Sequence, residues 1–232
     1  MTSKKKQARF AGLLYLLLLP TGIFSLIYVP STLIVSGDAA ATIQNIEASE
    51  LLYRLGLYVG LMSSLIYLIV GLALYRLLKD VSEKQAMLMV AFVVLGVSAS
   101  FASSFNQLAV LILLDKPDFL SAFGPAQLEG VAYLFVRLQS HSIQVIQVFW
   151  GLWLIPMGIL VYRSGFIPKI IGVSLWLAAF AYLLSNFIFM LLPQHKAALS
   201  PIITGLEMLE LPIIFWLLIV GVRVPPGETS ES

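Results

Sequence analysis

The chain contains no cysteine, and that single absence removes disulfides, thiolate metal sites and cysteine nucleophiles together. Charge is scarce as well. Asp, Glu, Lys and Arg make up 11% of the 232 residues, against about 25% in soluble domains. Histidine occurs only as His141 and His195. HExxH, G-x-S-x-G, a Gly-rich phosphate loop and C-x-x-C are all missing, so no familiar enzyme signature is present. A formal net charge of +2, with no basic run beyond Lys4-Lys5-Lys6 and Arg9, excludes nucleic acid as an expected partner.

What the chain has is apolar surface. Hydrophobic residues make up 59% of it, and mean hydropathy is +0.95. This is the composition of an integral membrane protein whose main partner is the lipid bilayer. A spanning helix needs about 20 apolar residues. The segments 10–35, 54–78, 85–114, 141–163, 169–193 and 199–222 meet that requirement. The expected fold is all-α: a polytopic bundle of about six transmembrane helices forming one domain over 1–222, with a polar tail at 223–232. The basic start and Ala39-Ala40-Ala41 imitate a signal peptide. The apolar run from Phe10 to Val35 exceeds the roughly 7–15 residues of a signal core, so it reads as a retained first span.

Lys and Arg set the orientation of such a chain. With the N-terminus inside, Arg54, Lys116, Arg137 and Lys196 fall outside, and the other ten of the 14 basic residues fall inside. Both termini are therefore expected in the cytoplasm. Two outer segments exceed simple turns. Residues 36–53 are expected to form a short surface helix. Residues 126–140 have apolar positions at helical spacing, which fits an interfacial helix or an outward extension of span four.

LLPTGI at 18–23 resembles LIPMGI at 154–159, in spans that run in opposite directions. That pattern fits an inverted repeat, although Pro and Gly are common in membrane helices anyway. Pro20, Pro156 and Pro212 are each expected to kink a helix.

Ionisable residues inside spans are functional candidates, because holding them at membrane depth costs several kcal/mol. Glu207 and Glu210 are three apart and share a face of span six. Arg137, His141 and Gln144 form a stripe at the start of span four, with Gln147 one step on; Ser140 and Ser142 fall off it. Asn106 of span three and Asn186 of span five add polar groups near the same end. A pocket in the outer half of the bilayer is expected. Each group also has a structural reading. His141 fits an inert interfacial histidine, either carboxylate fits a packing partner for Arg137, Arg54 fits a pair with Glu50, and Trp150, Trp153 and Trp216 fit core packing. No ligand spacing supports a metal, and no cofactor is expected.

QVFWGLWLIPMGILVYRSGFIPKIIGVSLWLAAFAYLL at 147–184 resembles the bacterial membrane family catalogued as domain of unknown function 4386. ARFAGLLYLLLLPTGIFSLIYVPSTLIVSGDAAATIQNI and ELPIIFWLLIVGV are similar to it as well. His141, Gln147, Gly151, Pro156, Ser164, Pro168, Gly172 and Glu210 match its pattern. The resemblance implies a multi-pass protein of a bacterial cytoplasmic membrane, assigns no activity, and favours His141 and Glu210 as site residues. The leading expectation is binding or translocation of a small polar or amphiphilic molecule. The alternatives are an intramembrane enzyme using His141 with Glu210 on a lipid-like substrate, and a non-catalytic accessory protein packed against a membrane partner.

Overall fold

A computed structural model describes residues 3–222, and among the described residues it contains helices and no strand. The helices are α1 (Lys4–Leu33), α2 (Ala39–Ala48), α3 (Glu50–Leu78), α4 (Glu83–Leu114), α5 (Pro125–Arg163), α6 (Lys169–Leu191) and α7 (Pro193–Val220). All except α2 are long and apolar enough to cross a membrane. Phe10, Leu13 and Leu17 stand exposed along α1, as do Leu65, Ile69 and Leu72 along α3. Exposed apolar stripes at three- to four-residue spacing suit lipid and not water. The polar tail expected at 223–232 lies outside the described residues.

The described residues gather into two units. One holds 18–65 and 98–143. Here α2 starts at Asp38, whose Oδ1 accepts the Ala41 N–H at 2.9 Å, a side-chain N-cap. Thr42 is fully buried; its hydroxyl donates to the Asp38 carbonyl at 2.7 Å and accepts the Val35 N–H at 3.0 Å. Ile43 and Ile46 then join Val29, Leu33, Leu57, Val110, Ala132 and Val136 in one core. The surface helix expected within 36–53 is therefore a helix with a buried face. Burial of Ala132 and Val136 also decides the form of 126–140. These residues extend α5, which is 39 residues long and so about 58 Å.

The other unit holds residues up to Leu17, Ile66–Val97 and residues from Gln144 on. One of its close helix contacts is between α5 and α6. A Cβ at Gly158 would lie 2.5 Å from Trp176 Nε1 and 3.0 Å from the Gly172 carbonyl oxygen; one at Gly172 would lie 2.9 Å from the Gly158 oxygen. Only glycine lets two backbones approach so closely, as membrane helix pairs commonly require. The Trp176 indole donates to the Ile155 carbonyl at 3.2 Å. Gly22, in the matching LLPTGI motif, has nothing within 4 Å of its Cβ position, so the two motifs serve different local packing.

Candidate functional site

Glu210 sits at an irregularity that proline imposes. Pro212 has no N–H to give the Met208 carbonyl, its usual partner four residues back. The chain tightens instead into a 3-10 turn over Met208–Glu210, and the Leu211 N–H bonds to Met208 O. In a 3-10 turn, side chains three apart eclipse one another, which brings Glu210 toward alignment with Glu207.

Two tyrosines converge on this carboxylate. The Tyr15 hydroxyl of α1 donates to Glu210 Oε1, and the Tyr182 hydroxyl of α6 donates to Oε2 at 3.1 Å. Each carboxylate oxygen thus receives one phenol, from a different helix. Among the described residues Glu210 makes no ion pair. Aromatic rings pack against these two phenols. Tyr15 packs on Trp153 at 5.6 Å between centroids, Tyr67 of α3 meets Trp153 edge-on at 5.1 Å, and Trp150 meets Tyr182 edge-on at 6.2 Å. Tyr67 belongs to the same unit as Glu210, and its buried hydroxyl makes no hydrogen bond.

These groups share one depth. Tyr15, Tyr67, Trp153, Tyr182 and Glu210 each lie about 10–13 residues from the helix ends at Lys4, Leu78, Arg163, Lys169 and Val220, some 15–20 Å of helical rise. Half of a hydrocarbon core is about 15 Å. Those ends carry the basic side chains: Lys4 pairs with Asp80 at 3.2 Å, and Lys169 lies over the Tyr162 ring at 5.3 Å. On the observed bounds of α7, Glu210 lies on the C-terminal side of the helix midpoint.

The polar residues singled out in the sequence divide between the two units. Gln144, Gln147, Asn186 and Glu207 belong to the unit of Glu210. Asn186 Nδ2 donates to the Gln144 backbone carbonyl at 2.8 Å. The side-chain oxygens of Gln144 and Gln147 are buried and accept no hydrogen bond. Glu207 is partly buried. Arg137, His141 and Asn106 belong to the other unit. There, exposed His141 places Nδ1 at 2.7 Å from the Arg137 carbonyl oxygen, which assigns the ring hydrogen to that nitrogen. Asn106 Nδ2 donates to Ser142 Oγ at 3.4 Å, and Ser103 donates to Gln139 Oε1 at 2.8 Å. Ser142, although off the stripe, is therefore a polar partner of Asn106. Arg54 pairs with Glu50 at 2.5 Å, as their spacing predicts.

Sequence reasoning missed Tyr15, Tyr67 and Tyr182. A signal did exist, since all three stand away from the helix ends where membrane tyrosines usually gather, and a buried tyrosine hydroxyl usually finds a partner. Trp153, by contrast, is core as expected. No group of three or more His, Cys, Asp or Glu that could hold a metal occurs among the described residues.

The arrangement can hold one negative charge at mid-helix depth and steady it with phenols, and the same unit holds amide oxygens that accept no hydrogen bond. No curated protein and no solved structure matches this chain. The family model described as domain of unknown function (DUF4386) matches residues 10–221, and the chain belongs to that family.

Proposed function

We propose that this is a multi-pass protein of a bacterial cytoplasmic membrane, with both termini inside, that binds or translocates a small polar or amphiphilic molecule at Glu210. The observation carrying the reading is the carboxylate held by Tyr15 and Tyr182 at spanning depth. A charge there costs several kcal/mol. A purely structural role would be served by a neutral amide at less cost. Unpartnered polar atoms on Tyr67, Gln144 and Gln147 in the same unit support it, because buried polar groups in folded proteins normally find partners.

The test is ligand capture. Purified wild-type protein and Glu210→Gln, both in lipid nanodiscs, are incubated with a small-molecule extract of bacterial cells. Retained compounds are then identified by mass spectrometry. The reading expects at least one compound held by wild type and released in the variant. Identical profiles from two equally folded proteins overturn it. The orientation has its own test: with no native cysteine, single cysteines at Asp80 and Glu129 should label from opposite faces of intact cells, and labelling from the same face overturns the topology.

A further inference from the structure

We infer that the occupant of the Glu210 site is an organic ammonium ion, an inference that rests on the binding reading above. Charge is the first argument. Glu210 has a second carboxylate, Glu207, three residues before it and no cationic partner among the described residues. Four basic groups of the same unit are engaged elsewhere: Lys4 with Asp80, Lys169 over Tyr162, Lys196 over Phe189 at 4.9 Å, and Arg9 with the Ile219 carbonyl at 3.0 Å. A carboxylate that is ionised at membrane depth is stabilised by a positive partner.

The second argument is the kind of free polar atom. Gln144 Oε1 and Gln147 Oε1 are buried acceptors without donors. Gln147 lies one helical turn before Trp150, whose ring packs on Tyr182, the donor to Glu210. Acceptors without donors call for a group that brings N–H bonds or positive charge, and they disfavour an anion.

The third argument separates an organic cation from a metal. Tyr15 and Tyr182 already give their hydrogens to Glu210, and hard cations prefer six or more oxygen ligands. Packed on the two phenols that hold Glu210 are instead aromatic rings: Trp153 on Tyr15, with Tyr67 edge-on to it, and Trp150 on Tyr182. Aromatic faces beside a carboxylate are the chemistry that recognises alkylammonium groups.

The test uses the full chain in nanodiscs and reads tryptophan fluorescence and melting temperature. The probes are choline with its uncharged isostere 3,3-dimethylbutan-1-ol, benzylammonium with benzyl alcohol, and sodium chloride. At least one ammonium probe should give a saturable response about tenfold tighter than its uncharged counterpart. Glu210→Gln should abolish the response. Gln147→Leu, which removes an unpartnered acceptor and should not harm folding, should weaken it. Equal affinity for an alcohol and its ammonium partner overturns the inference, as does saturation by sodium alone. If no probe binds while extract capture still depends on Glu210, the ammonium assignment fails and the binding reading stands. If both experiments are blank, both fail.

Discussion

Tyr182 and Glu210 are joined by a hydrogen bond of 3.1 Å that ties α6 to α7. Hydrogen bonds to charged groups contribute about 1.5–3 kcal/mol, so Tyr182→Phe should destabilise the folded protein by that amount in detergent unfolding. The same substitution should lose most of its effect in a Glu210→Ala background. An undiminished cost there would mean that the ring and not the hydroxyl matters.

The contact between Gly158 and Gly172 yields a graded series. Gly172→Ala drives a methyl into backbone atoms of Gly158 and Tyr162 at 2.9 Å, and backbone cannot step aside. A cost of about 1–3 kcal/mol is expected. Gly22→Ala meets open space and should be neutral or stabilising by up to about 1 kcal/mol, since alanine restricts the unfolded chain. Thermal denaturation of the two variants in one detergent checks the ordering.

Pro212→Ala returns an N–H to the Met208 carbonyl and removes the reason for the 3-10 turn at Met208–Glu210. The chain should then run as regular α-helix and turn Glu210 away from Tyr182. Helix content and expression should persist, while the coupling between Tyr182 and Glu210, measured by a double-mutant cycle, falls toward zero. Unchanged coupling would show that the neighbouring helices, not the proline, set the carboxylate.

Thr42 closes the chain around the start of α2, bonding the Val35 N–H and the Asp38 carbonyl. Thr42→Val keeps the shape and removes the acceptor of the partly buried Val35 N–H bond, at a cost of about 0.5–1.5 kcal/mol. Asp38→Ala loses only an exposed cap and should cost about 0.5–2 kcal/mol. Hydrogen exchange at Ala41 and Thr42 reports both.

The spans were readable because a bilayer demands about 20 apolar residues and the chain supplies six such runs. Residues 126–140 were not, since their apolar spacing suits a surface helix as well as a continued one. Burial of Ala132 and Val136 beside Ile43 and Ile46 decides between them, and periodicity carries no such information. Glu210 was legible as a carboxylate inside an apolar run. Its partners were hidden because Tyr15 and Tyr182 come from helices remote in sequence, and membrane helices commonly carry tyrosine for another purpose. The stripe of Arg137, His141 and Gln144 was a true helical face, yet its members belong to different units. A helix running through both cannot reveal that from spacing.

Helix α7 opens with a 3-10 turn at Pro193–His195, tightens again at Met208–Glu210, and widens into a π-turn at Trp216–Val220. Poorer hydrogen-bond geometry and a broken ladder make such a helix mechanically compliant, whereas the glycine contact locks α5 to α6. Strain that reaches Glu210 will therefore be taken up as flexing of α7 ahead of Leu217 and Leu218, where Gly12 of α1 holds its backbone at close contact.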